Sequence, residues 1–145
     1  MAKGYRYVDH TADVEYIASG ATMEKAFSNA FVGLFATLSE IKDVKKQRSE
    51  TKQMKIRDSA KSMEDLLWYS LQDALSAADS TAVFPYGVKS LKITERRGKF
   101  WLEAVLLCKA QDQKHGHFDV KGIARYDLAI KKAGRLYSVS VVVDV

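Results

Sequence analysis

Cysteine and proline are almost absent from this sequence of 145 residues. Cys108 is the one cysteine, so no intrachain disulfide can form and no cysteine cluster is available for a structural zinc site. Pro85 is the one proline, and no repeat, low-complexity tract or linker divides the chain. No apolar run approaches the roughly 20 residues that a membrane span requires, and the N-terminus has no apolar signal region. We therefore expect a single domain, residues 1–145, that is soluble and cytoplasmic.

Basic residues exceed acidic ones, giving a formal charge of +5 and a pI near 9.2. Such a charge favours contact with nucleic acid or with an acidic protein surface. Much of the excess lies in the segment 42–57, which carries Lys42, Lys45, Lys46, Arg48, Lys52, Lys55 and Arg57. Because no aromatic residues are interleaved for base stacking, we interpret this segment as a solvated loop and edge strand.

Two segments have helical periodicity. Thr22 is a candidate N-cap, and the apolar residues after it recur on one helical face at Ala26, Phe27, Ala30, Phe31, Leu34, Phe35 and Leu38. Ser62 and Asp65 resemble a capping box in which aspartate replaces glutamate, and a second apolar face follows from Met63 to Ala78. The sequence therefore predicts two helices, the second ending in the turn 79–81.

The other regular segments are β-rich. They cover residues 5–8, 14–18, 52–57, 88–94, 100–107, 123–130 and 136–143. The last four segments form two pairs, joined by the glycine-containing loops 95–99 and 131–135, which predicts two hairpins. We expect an α+β fold in which two helices pack on a largely antiparallel β-sheet.

Acidic residues lie near both ends of the chain: Asp9 and Asp13 at the start, and Asp144 beside the carboxylate of Val145. Chain termini are often close in space, and pairing of the first strand with the last would bring Asp13 near Asp144. A divalent cation is the usual way to hold several carboxylates together, and oxygen donors favour calcium or magnesium, with manganese as an alternative, over zinc. The pattern alone is better explained by ordinary turn and chain-end aspartates, which are common.

His10, flanked by Asp9 and Asp13, could act as a general base in a hydrolase. No nucleophile elbow, P-loop, zinc-protease motif or dinucleotide fingerprint accompanies it. Cys108 ends an apolar run and is expected in the core. We therefore interpret His10 as a structural residue, and we expect His115 and His117 to lie in a polar turn without a metal role.

The segment Asp9-His10-Thr11-Ala12-Asp13-Val14 resembles the opening motif of the archease family. The terminal Val143-Asp144-Val145 resembles the closing aspartate of that family, which an aliphatic residue follows. Between them, residues 23–27, 34–35 and 64–67 resemble the family's two helices, and residues 114–115 and 120–123 resemble its lysine–histidine and valine–lysine segments. The resemblance spans essentially the full length.

The resemblance implies an accessory protein, not itself an enzyme, that activates the RtcB-type RNA ligase of tRNA splicing. Such proteins promote guanylylation of the ligase and its multiple turnover, and they meet tRNA indirectly, through the ligase. Asp13, Asp144 and an oxygen of Val145 are then expected as ligands of a divalent metal ion, with calcium first and magnesium or manganese as alternatives.

One segment departs from the family pattern. Where archeases commonly have a threonine–tyrosine stretch, this chain has Ala124-Arg125-Tyr126-Asp127. Lys121 still matches the family lysine, so we retain it as a candidate contact to the partner or to phosphate, although a solvated strand lysine is an equal alternative. Asp127 is a weaker candidate near the site, and Asp9 and His10 are candidates for its support.

Two other functions are compatible with these residues. A basic RNA-binding module would lose RNA affinity steeply as salt is raised. A metal-assisted hydrolase centred on His10, Asp13 and Asp144 would need an open metal position beside a substrate pocket, and would turn over substrate by itself. A protein-partner role explains the missing nucleophile and phosphate loop most economically.

Overall fold

Hydroxyl caps begin the two long helices of the computed structural model, which describes residues 4–8 and 13–145. The Thr22 hydroxyl accepts a hydrogen bond from the Lys25 amide at 3.0 Å, and the Ser62 hydroxyl accepts one from the Asp65 amide at 3.1 Å. Each bond satisfies one of the amides that lack a partner in the first turn of a helix. The α-helices of the described residues are α1 (Met23–Leu38), α2 (Ile41–Lys46) and α3 (Met63–Ser80), and a short 3-10 helix covers Gln113–His115. Both predicted helices are confirmed, and α2 is an addition.

The strands of the described residues are β1 (Tyr5–Val8), β2 (Asp13–Gly20), β3 (Lys52–Ala60), β4 (Val83–Arg96), β5 (Lys99–Ala110), β6 (Gly122–Ile123), β7 (Ala129–Ala133) and β8 (Leu136–Asp144). They form two antiparallel sheets. The first has the order β1-β2-β8-β6, and β7 pairs with a different part of β8. The second has the order β3-β5-β4.

The core holds both sheets against α1 and α3. Helix α1 packs closely on β2: the buried Tyr16 donates its hydroxyl hydrogen to the Ala30 carbonyl oxygen at 2.6 Å, and its ring lies against Gly33. A Cβ at Gly33 would come within 2.4 Å of that ring, so only glycine permits this approach. The predicted α+β class is confirmed.

The chain from 123 to 130 corrects one prediction. It was expected as a continuous strand, but the strand ends at Ile123 and resumes at Ala129. The Ala124 amide still donates to the Val142 carbonyl oxygen at 2.9 Å, and the chain then turns, with the Leu128 amide donating to the Arg125 carbonyl oxygen at 3.3 Å. The predicted hairpin pairing therefore holds only for β7 with β8, while β6 pairs with the far end of β8.

The other hairpin is longer than expected. Its strands pair up to Arg96 opposite Lys99, which leaves Arg97 and Gly98 as a two-residue turn. Both have positive φ, 55° and 75°, as two-residue turns of type I′ require.

Candidate functional site

Strands β2 and β8 bring the two predicted acidic residues together. Their antiparallel register places Asp13 directly opposite Asp144 and continues without a break to Gly20 opposite Tyr137. Side chains that face each other in this way project to the same side of a sheet, with Cβ atoms about 4.5–5.5 Å apart. Asp144 is exposed, Asp13 is half-buried, and Val145 follows Asp144 directly. We call these three residues the acidic edge.

Apolar residues fix this register. Tyr16 lies opposite Val141, and Ala18 lies opposite Val139; all four side chains are buried. A shift of one residue would turn this set to the other face of the sheet, so the core strongly disfavours it. The position of Asp13 against Asp144 is thus set by residues several positions away from both.

Strand β6 is a third strand that adjoins the acidic edge. Gly122 pairs with Asp144 on the side away from Asp13, and the Lys121 amide donates to the Asp144 carbonyl oxygen at 2.8 Å. The Lys121 side chain is exposed. The predicted Lys121 therefore lies next to Asp144 through a backbone hydrogen bond, and its ammonium group is on the surface.

Helix α3 holds the segment that carries Lys121. The Trp68 indole donates to the Ile123 carbonyl oxygen at 2.7 Å, and the Gln72 side-chain oxygen accepts from the Ile123 amide at 2.6 Å. One turn earlier, the Arg125 guanidinium contacts the Asp65 carboxylate at 2.7 Å. We call these contacts the α3 clamp. Sequence reasoning missed the clamp, because no local pattern relates residues 51 to 60 positions apart.

The loop 124–128 projects beyond the clamp. Tyr126 is 99% exposed at its tip, Asp127 is exposed, and Leu128 is buried as the chain returns to the sheet. Asp127 therefore lies in a surface loop that follows β6, and a role near the acidic edge remains a prediction for it. The predicted support residues Asp9 and His10 lie outside the described residues, so the hydrolase hypothesis centred on His10 also remains a prediction.

An open pocket of about 360 Å³ adjoins Asp13. It is lined by Tyr7, Val8, Asp13, Val14, Ala36, Thr37 and Phe118. Phe118 is held there by its amide, which donates to the Thr37 carbonyl oxygen at 3.3 Å. Phe118 is 51% exposed and Tyr7 is 47% exposed, so two aromatic side chains present apolar surface in a pocket that Asp13 also lines. Sequence reasoning did not find this pocket, because Phe118 is distant in the chain from β1 and α1.

The donors at the acidic edge suit a hard divalent cation by their chemistry, since carboxylate and carbonyl oxygens are the ligands that calcium and magnesium prefer. Within residues 4–8 and 13–145, no group of three or more His, Cys, Asp or Glu side chains is arranged to hold a metal ion. The ligand set expected from the resemblance to archeases is Asp13, Asp144 and an oxygen of Val145. Metal binding remains a prediction.

The remaining chemically active side chains take part in packing and surface contacts. Cys108 is fully buried, and burial raises the pKa of its thiol to about 11, so the reactive thiolate is scarce at neutral pH. His115 lies 3.3 Å from the Asp112 carboxylate, and His117 lies 3.3 Å from the Glu40 carboxylate. The expectation of a core cysteine is confirmed.

Comparison with known proteins identifies the family. The model of the archease protein family (MTH1598/TM1083) matches residues 5–145. The chain belongs to the archease family. A protein archease of Methanosarcina barkeri is 28% identical over 149 aligned residues, which include 100% of this chain and 98% of that protein.

Two solved structures share the archease fold with this chain. The solution structure of Methanobacterium thermoautotrophicum protein 1598 has a TM-score of 0.82 and 22% identity, covering 99% of this chain and 100% of that one. The crystal structure of a Thermotoga maritima archease, described as a possible chaperone, has a TM-score of 0.58 and 18% identity, covering 95% and 94% of the two chains. In the part of the chain that the structure describes, no helix is both long and apolar enough to cross a lipid bilayer.

Proposed function

We propose that this chain activates an RtcB-type tRNA-splicing RNA ligase in the cytoplasm, promoting guanylylation of the ligase and its multiple turnover through a divalent cation held at the acidic edge. The observation that carries the proposal is the in-register pairing of Asp13 with Asp144. Two carboxylates facing each other across a strand pair repel, and sharing one cation relieves that repulsion.

Asp13, Asp144 and the carboxylate or carbonyl oxygen of Val145 would hold the cation, with calcium first and magnesium or manganese as alternatives. When bound, such an ion stabilises negative charge on phosphate oxygens. The chain's own contribution is positional: the buried β2–β8 register and the bond from the Lys121 amide to the Asp144 carbonyl oxygen fix where the carboxylates lie.

The donor set also favours action together with a partner. Calcium takes about 6–8 oxygen ligands, whereas Asp13, Asp144 and Val145 supply three if each binds through one oxygen. Further donors would come from water or from the nucleotide and metal pocket of the ligase. The exposed Lys121 side chain, beside Asp144, is placed to contact the ligase or a phosphate, and exposed Phe118 and Tyr7 offer apolar surface next to Asp13.

The proposal is tested by the ligase assay with matched variants. Asp13→Ala should abolish the stimulation of multiple-turnover ligation, because it removes one of the two facing carboxylates. Asp43→Ala makes the same chemical change at an exposed position of α2 and should stimulate like the parent chain. Circular dichroism of both variants checks that the fold is retained.

Unchanged multiple-turnover ligation by Asp13→Ala would refute the role of the acidic edge. Hydrolysis of phosphoesters by the isolated chain, lost in the same variant, would instead favour the metal-assisted hydrolase.

A further inference from the structure

The sheet β3-β5-β4 has one face in the core and one face in solvent. Ile56, Leu102 and Ala104 are buried on the inner face. The residues that alternate with them therefore point outward. The cross-strand register arranges these outward residues in rows: Lys55, Val105 and Ser90; Arg57, Glu103 and Lys92; Ser59, Trp101 and Thr94; and, at the hairpin end, Lys99 with Arg96. We call this surface the outer face.

Positive charge dominates the outer face. Its basic residues are Lys55, Arg57, Lys92, Arg96 and Lys99, all exposed, and Glu103 is its acidic residue. The ratio of five to one far exceeds that of the whole chain, in which 23 Lys and Arg stand against 18 Asp and Glu. Glu103 contacts Arg57 at 2.8 Å and so offsets one of the five charges. An ordinary solvated sheet face intersperses both signs, so this face is unusually suited to a polyanion.

A stacked aromatic–cation pair lies within this charge. Trp101 is half-buried between Ser59 and Thr94, and the Arg96 guanidinium carbon lies 4.7 Å from the centroid of its ring. Its indole nitrogen is buried, without a hydrogen-bond partner in the described structure. Trp rings and Arg guanidinium planes are the two kinds of surface on which unpaired bases stack.

The outer face is also concave enough to hold a ligand. An open pocket of about 970 Å³ adjoins it, lined from this face by Arg57, Lys92, Arg96, Trp101 and Glu103. Asp58 and Leu102, which alternate with the outward residues, and Tyr69 of α3, which is 43% exposed, complete this side of the lining. Hydroxyl groups of Ser59 and Thr94 line the same pocket. The groove also holds two carboxylates, Asp58 and Glu103, and the latter is paired with Arg57. The remaining cations, the hydroxyls and the stacking platform match the phosphates, sugars and bases of a single strand better than they match an acidic peptide.

We propose that the outer face of the β3-β5-β4 sheet binds single-stranded RNA, with phosphates at its lysines and arginines and a base stacked at Arg96 and Trp101. This contact is direct and separate from the acidic edge, which lies on the other sheet. It does not depend on activation of a ligase.

Fluorescence anisotropy of a labelled single-stranded RNA of about 12 nucleotides, within the site sizes of single-strand binders, tests the proposal. The triple variant Lys92→Gln, Arg96→Gln, Lys99→Gln should bind about tenfold more weakly. The slope of log affinity against log salt should fall by about 2, since each lost phosphate contact removes about 0.7. The matched control is Lys42→Gln, Lys45→Gln, Lys46→Gln, which removes the same charge from α2 and should change affinity by less than about twofold.

Tryptophan fluorescence locates the bound base. RNA should quench the tryptophan fluorescence of the parent chain. That quenching should be lost in Trp101→Phe, which keeps an aromatic ring and leaves Trp68 as the remaining tryptophan. Because Trp101→Phe is conservative, this readout survives if the triple variant fails to fold.

Equal loss of affinity in the two triple variants would overturn the proposal, because net charge alone would then explain binding. Tighter binding of poly-glutamate than of RNA would assign the face to an acidic protein instead. Undetectable binding of RNA at low salt, or quenching that persists in Trp101→Phe, would also overturn it.

Discussion

Asp13 and Asp144 occupy positions at which like charges destabilise an antiparallel pair. The loss of stability from this repulsion is small at a sheet end, where Asp144 is exposed and water screens the two charges. A cation bound by both carboxylates would convert this repulsion into a net attraction, so the proposed metal binding would raise the stability of the chain.

Replacing Asp144 by Asn should therefore largely abolish the stabilisation of the chain by metal ions without lowering its stability in their absence. With a chelator present, the melting temperature of Asp144→Asn should equal or slightly exceed that of the parent chain, because the repulsion between the two carboxylates is gone. Calcium at about 100 times its dissociation constant should stabilise the parent by about 2.7 kcal/mol and the variant far less. Thermal unfolding with calcium, magnesium and manganese measures this, with Asp43→Asn as control. Equal responses of Asp144→Asn and the parent would contradict metal binding at this edge.

Asp58 is a second acidic residue with an unusual setting. Burial, and next the nearby Asp73 carboxyl, raise the pKa of Asp58 to about 7. One of its carboxylate oxygens is buried without a hydrogen-bond partner among the described residues. An aspartate in the unfolded chain ionises near pH 4 or so. Between those values the folded state binds the extra proton, so the contribution of Asp58 to stability falls as pH rises from about 4 through about 7.

Asp58→Asn should remove this dependence. Because the variant has no carboxylate to ionise, its gain in melting temperature over the parent should be larger at pH 8 than at pH 5. Asp79→Asn, an exposed change at the end of α3, is the control and should show no such difference. A gain that is independent of pH would show that Asp58 titrates normally in the folded chain.

At the scale of elements, the α3 clamp holds β6 beside the acidic edge. Gln72→Ala should leave the Ile123 amide without its side-chain acceptor, at a cost of about 1–3 kcal/mol if water does not replace it. Amides of the segment 121–128 should then exchange hydrogen faster, and ligase stimulation should fall because Lys121 and Asp144 share this backbone.

Hydrogen exchange followed by mass spectrometry checks the clamp, with Ser76→Ala on the exposed side of α3 as control. If the amides of residues 121–128 exchange hydrogen equally slowly in Gln72→Ala, pairing with β8 alone holds β6 in place.

The two long helices could be predicted because their signals are local. Thr22 and Ser62 cap them as expected, and their apolar faces are buried. Helix α2 has a weak signal: Val44 is its one buried residue, and Glu40 makes no side-chain capping bond. The break after Ile123 was missed because residues 123–130 are β-rich in composition, while the contact made by the segment after the strand, that of Arg125 with Asp65, is with the distant helix α3.

At the scale of the whole molecule, the division into two sheets could not be read from the sequence, because it depends on which distant strands pair. The basic segment 42–57 illustrates the consequence. The structure divides it between α2, which carries Lys42, Lys45 and Lys46, and β3, where Lys55 and Arg57 join the outer face. The aromatic residue expected of an RNA surface, Trp101, comes from another strand.

The acidic edge was predictable in outline because both aspartates lie near chain ends, and the resemblance to archeases pointed to the same two residues. The pocket beside Asp13 and the α3 clamp were not, since each joins three or more separate elements.

Two surfaces of one small chain thus carry the two proposals, the acidic edge on the sheet that contains β2 and β8 and the outer face on the other. Activation of the ligase is tested most directly by ligation with the cognate ligase at limiting concentration, with and without this chain, counted as joined RNA molecules per ligase. We expect many joined molecules per ligase with the chain and about one without it. The same count in both reactions would show that the chain does not activate the ligase.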